Sequence, residues 1–158
     1  MATRLKIEQD FSNYKIFGIS CQLKDYKFSW LLNNEMNFNF LKIQSLITNE
    51  KKKIEYSIYE DKSDDYIYYY LLSNKSKNIP LSNYFKEFDY FLIIEGDPLK
   101  SQINSIKQEL KKLPGILFIS EINIFRDKNI GSILTDFELH ITNYNKSIKE
   151  ERKIKTPK

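Results

Sequence analysis

Residues 89–122 spell one complete strand–helix–strand unit, and no other stretch restricts the fold as strongly. The run DYFLIIE at 89–95 is a largely apolar segment of strand length. Gly96, Asp97 and Pro98 follow, supplying a turn, an N-cap carboxylate and a proline at the first helical position. Leu99, Ile103, Ile106, Leu110 and Leu113 then step by four, three, four and three, a single apolar stripe on a helix. Pro114 and Gly115 stop it, and ILFISEI at 116–122 makes a second strand. A helix with one apolar stripe has to cover a sheet, so the unit commits the chain to a layered α/β packing.

The remaining segments extend that sheet. KIFGIS at 15–20 is apolar on both faces, which marks an interior strand, and Gly18 permits a close approach from above. Over 23–34 the spacing turns helical, with Leu23, Tyr26, Trp30 and Leu31 on one stripe. That stripe is expected to be buried, so Trp30→Ala should cost roughly 3–5 kcal/mol. A strand over 38–43 precedes a hairpin. Its first arm alternates Ile54, Tyr56 and Ile58 with Glu55, Ser57 and Tyr59. A polar turn at 60–65 leads to the second arm, with Tyr66, Tyr68, Tyr70 and Leu72 on one face and Ile67, Tyr69 and Leu71 on the other. Pro80 makes 79–87 irregular, and Phe137, Leu139 and Ile141 are compatible with a short last strand.

The expected order is β-α-β-β-β-β-α-β. This predicts an α+β fold, a two-layer sandwich of a mixed sheet of about six strands with two helices on one face. The domain plan is a lead-in at 1–13, one domain at 14–142 and an unstructured basic tail at 143–158.

Charge sharpens the plan. The chain holds 25 Lys and Arg against 21 Asp and Glu, a net +4. Lys146, Lys149, Arg152, Lys153, Lys155 and Lys158, offset by Glu150 and Glu151, carry all of that excess. Residues 1–145 are therefore neutral, with 19 charges of each sign. The 22 Ile, 22 Lys, 14 Asn, 11 Tyr and 11 Phe, with no valine and Ala2 the sole alanine, reflect AT-rich codon usage. Lysine and aromatic abundance alone therefore says nothing about a partner. No run reaches the ~18 apolar residues of a membrane span, and residues 1–10 lack the apolar stretch of a secretory signal. With Cys21 the only cysteine, the expected compartment is the cytoplasm.

Enzyme chemistry finds little support. Glycines at 18, 96, 115 and 131 form no phosphate loop, so no nucleotide cofactor is expected. His140 is the only histidine and lacks metal-ligand spacing, so no metal is expected. Cys21 fits a small core residue at a strand end, although a helix N-terminus could activate it. Asp89 and Glu95 lie about 20 Å apart on one strand, too far for a shared event. No catalytic residue is assigned. The best candidate surface is Tyr66, Tyr68 and Tyr70 on the hairpin. Two readings follow: a non-enzymatic protein-interaction or accessory domain, with a protein partner or self-association, and an RNA-associated protein using that face plus the basic tail.

The segments KIFGIS at 15–20, KDYKFSWLLN at 24–33, the hairpin, LLSNK at 71–75 and FDYFLII at 88–94 together resemble the IPExxxVDY family, a group of small uncharacterised proteins of the Bacteroidota. The resemblance spans about residues 14–125. Of the naming motif, Asp89 and Tyr90 are kept, while Phe88 replaces Val and Ser82, Asn83 and Tyr84 stand where Ile, Pro and Glu are expected. It implies a cytoplasmic domain and carries over no activity or cofactor.

Overall fold

The computed structural model describes residues 11–48 and 53–155. Its elements are β1 (Tyr14–Cys21), α1 (Asp25–Met36), β2 (Leu41–Thr48), β3 (Ile54–Asp61), β4 (Tyr68–Ser73), β5 (Lys75–Ser76), β6 (Ile79–Pro80), β7 (Tyr90–Glu95), α2 (Lys100–Lys111), β8 (Ile116–Ile122) and α3 (Lys128–Lys155). Six strands form one sheet in the order β2-β3-β4-β7-β1-β8. Every pairing in it is antiparallel. Strands β5 and β6 make a separate two-stranded ribbon, turned through Lys77 and Asn78 at positive φ.

Two expectations are overturned. The sheet is antiparallel rather than mixed, because neither helical crossover joins neighbouring strands: α1 carries the chain past β7, β4 and β3, and α2 carries it past β1. Strands β7 and β8 run parallel to each other around α2, but β1 lies between them and opposes both. The sandwich also has three layers, with three helices instead of two. Residues that were expected to form a last strand belong to α3, whose Ile130, Ile133, Leu134, Phe137 and Ile141 are buried. The helix continues through Lys146, Lys149 and Arg152 to Lys155, while Lys158 lies outside the described residues.

The physical reason for the third layer lies in the central strands. Ile16 and Phe17, Leu71 and Leu72, and Phe91 to Ile94 leave no polar face on β1, β4 or β7, and all are buried. A sheet apolar on both sides needs a cover on both sides. Phe17, Ile19, Leu71, Leu92 and Ile94 pack under α1 and α2, together with Phe28, Leu32, Ile103, Ile106 and Leu110. Ile16, Tyr70, Leu72, Phe91 and Ile93 pack under α3 and the 81–89 loop. Gly18 admits that loop, since a Cβ there would sit 2.5 Å from the Phe88 ring. Buried Asn74 organises the same loop: its side-chain amide donates to the Phe85 and Phe88 carbonyls, both at 2.9 Å, and its oxygen accepts the Ser82 N–H at 3.1 Å. Helix α2 begins two residues later than Asp97 suggests, with the Gln102 side chain accepting the Leu99 N–H at 2.7 Å. Among the described residues no helix is long and apolar enough to cross a membrane.

Candidate functional site: an apolar groove beside the first helix

Helix α1 is rotated relative to its expected phase. Phe28, Ser29 and Leu32 face the sheet, whereas Tyr26 is 57% and Trp30 64% exposed. The sequence offers two apolar stripes on this helix. The inner one prevails because Phe28 meets Tyr90, ring centroids 4.9 Å apart, and completes with Leu32 the cluster over this face of the sheet. Asn37 closes the helix in the left-handed region at φ 59°, and the Asn33 side chain clamps Phe40 by both of its backbone groups, at 2.7 and 3.1 Å.

The outer stripe becomes one wall of a groove of about 510 Å³, formed by Leu23, Tyr26, Lys27, Trp30 and Leu31 with Pro114 and Gly115 opposite. Its lining is almost wholly carbon. Gly115 takes φ 87° and lets the chain pass directly beneath Leu23, where an added Cβ would come within 3.0 Å of Leu23 Cγ. The Gln22 N–H donates to the Gly115 carbonyl at 3.3 Å, tying the two walls together. Lys27 lines the groove, and exposed Lys24 and half-buried Asp25 stand between the lining residues Leu23 and Tyr26 in the chain.

Asp89 and Tyr90 support this groove from behind. Tyr90 Oη donates to the Leu23 carbonyl at 2.6 Å. Asp89 accepts the Cys21 N–H at 2.8 Å and pairs with Lys75 at 3.0 Å. Together they fix the β1–α1 connection, and burial pushes the Tyr90 hydroxyl well above its ordinary range. Cys21 is buried at the same junction, where desolvation raises its thiol above the ordinary value, opposed by a backbone hydrogen bond at Leu23 and reinforced by Asp89. This is the opposite of nucleophile activation.

The hairpin tyrosines are not brought together as a surface. Tyr66 precedes β4 and is exposed, Tyr68 is half-buried, and Tyr70 is 1% exposed with its ring edge-on to Phe137 of α3 at 4.9 Å. Helix α3 covers the face on which a base would stack. Its His140 Nε2 lies 2.8 Å from the Gln44 carbonyl of β2.

Sequence reasoning did not find the cleft under α3, about 520 Å³ and lined by Tyr14, Lys62, Tyr70, Glu95 and Glu138 among others. Tyr14 donates to Glu138 at 2.9 Å. Burial raises the Glu95 carboxyl above its ordinary value, Glu138 raises it further, and Lys62 and the Tyr70 hydroxyl act against both. Glu138 belongs to a segment read as strand, so no spacing rule could pair it with Glu95. Among the described residues no group of three or more His, Cys, Asp or Glu could hold a metal ion. No protein-family model matches the chain, and no curated protein matches it.

Proposed function

We propose that the chain is a protein-interaction domain that binds an apolar segment of a partner protein, flanked by acidic residues, in the α1 groove. The observation that carries this reading is the 64% exposed Trp30 standing in a carbon-lined groove. Tryptophan and tyrosine dominate binding hot spots because they bury large areas with little rotamer freedom to lose. Lys27 in the groove wall favours acidic flanks and faster encounter with an acidic partner. Asp89 and Tyr90, the residues shared with the IPExxxVDY motif, act as supports of this site and have no chemistry of their own to perform. A buried lone cysteine suits the reducing cytoplasm.

Panning a random peptide display library on the folded chain tests the reading. Wild-type protein should enrich segments with two or three apolar residues beside Asp or Glu, and Trp30→Ala should lose that enrichment. A library that enriches no such class on wild type over Trp30→Ala removes the proposal.

A further inference from the structure

The sheet face under α1 is apolar over its centre and turns polar at one corner. Tyr59 of β3 pairs with Leu71 of β4, and both are buried on that face. Two positions further along each strand the same face carries Ser57 and Ser73. Strand β2 adds Lys42 and Ser45. Helix α1 reaches this corner only with its first residue, Asp25, and the β5–β6 ribbon stands on the other side. Between them lies a cavity of about 650 Å³. Four lysines and three carboxylates line it. Two of the carboxylates are spent within the protein. Asp89 accepts the Cys21 N–H at 2.8 Å and pairs with Lys75 at 3.0 Å, while Asp25 accepts the Tyr26 N–H at 2.9 Å and the Tyr59 hydroxyl at 3.4 Å. Among the described residues Lys24, Lys42 and Lys77 have no carboxylate within ion-pair distance. The hydroxyls of Ser45, Ser57 and Ser76 make no hydrogen bond to the described residues either. Exposed Glu55 is the one carboxylate left over.

We propose that this cavity binds a phosphorylated sugar. Three unspent ammonium groups and three unspent hydroxyls are more donors than one carboxylate can accept. A phosphate monoester brings about two negative charges and three acceptor oxygens, which match them. The volume lies within the range of small-molecule sites and leaves room beyond the phosphate for the body of the ligand. Gln22, Asn78 and Glu55 surround that remainder with hydrogen-bonding groups instead of an apolar wall, so the body carries hydroxyls, and Glu55 accepts from one of them. The ribbon wall is held in place before any ligand arrives. Ser73 Oγ donates to the Lys75 carbonyl at 2.9 Å, and Asp89 is a positioning residue that ties Lys75 to the end of β1. The cavity shares Leu23 with the α1 groove and does not rest on the reading of that groove.

Titrations of the full chain followed by amide NMR test the assignment. Inorganic phosphate should give saturable shifts at Ser57, Ser73 and Ser76, and chloride at equal ionic strength should not. Ribose 5-phosphate should displace inorganic phosphate and bind about tenfold tighter, and unphosphorylated ribose should not bind. Lys42 and Lys77 are exposed, so replacing them leaves the fold intact, which circular dichroism checks. Lys42→Gln and Lys77→Gln should each weaken ribose 5-phosphate about tenfold, the loss of one hydrogen bond to a charged group. Lys42→Arg should keep the affinity. The absence of a saturable phosphate shift overturns the proposal. So does ribose 5-phosphate that binds no tighter than inorganic phosphate or than ribose, or an affinity that survives both glutamine variants. Groove binding is read separately, because Trp30→Ala leaves phosphate binding in place.

Discussion

Phe28 and Trp30 lie two positions apart on α1 and meet opposite surroundings, a fully buried core and open solvent. Their truncations should therefore separate stability from binding. Phe28→Ala is expected to cost about 3–5 kcal/mol in chemical denaturation, as removal of a buried ring does. Trp30→Ala should stay within about 0.5 kcal/mol of wild type, the range of a surface change, while losing partner binding. A large destabilisation by Trp30→Ala would return the ring to the core. A second residue-scale prediction concerns Glu95. Its carboxyl is raised by burial, then by Glu138, so the folded state holds a proton that the unfolded chain releases. Below the ordinary value of 4.5 both states are protonated and nothing is lost. As pH rises through the raised folded value, the ionised carboxylate is left buried beside Glu138 and stability falls. Stability curves of wild type and Glu95→Gln should thus diverge between pH 4.5 and neutrality, with the glutamine variant gaining. A constant difference across that range would show that Glu95 does not titrate in this way.

At the scale of elements, β1, β3, β4, β7, β8 and α2 were legible because each carries one unambiguous pattern, whereas the strand expected at 38–43 lies at Leu41–Thr48 and the β5–β6 ribbon stands where irregular chain was expected. The run from Asp89 to Glu95 and the stripe from Ile103 to Leu110 fall where the spacing puts them. Helix α1 was found, but its phase was not. Tyr26 and Trp30 form as good a stripe as Phe28 and Leu32, and only the sheet beneath decides between them. Helix α3 was missed because Phe137, Leu139 and Ile141 alternate like a strand, while Ile130, Ile133, Leu134 and Phe137 repeat like a helix. The two patterns disagree about Leu139, which is 61% exposed, while Phe137 is buried. Phe137→Ala should accordingly cost about 3–5 kcal/mol, and Leu139→Ala should be near neutral. Equal losses at both positions would favour the strand.

Across the whole molecule, the apolar content of β1, β4 and β7 already required two covering layers, and the basic C-terminal segment concealed one of them. With α3 in place Tyr70 is covered, while Tyr26 and Trp30 stand exposed on α1 on the other side of the sheet. The groove was legible only as a list of residues: Leu23, Tyr26, Trp30 and Leu31 were identified together, then assigned to the interior. Its second wall, Pro114 and Gly115, lies over 80 residues away in the chain, and no local pattern connects the two. On the proposed function, α1 presents its aromatic stripe to solvent for a partner to cover. Trp30 is the only tryptophan, so its fluorescence reports on the groove alone. Acrylamide, a neutral quencher unaffected by the neighbouring lysines, should quench Trp30 in the free chain as fully as an exposed indole, and a peptide selected on the groove should shield it and shift its emission to the blue. A Trp30 already shielded in the free chain, or one whose quenching does not change when such a peptide binds, would contradict the account.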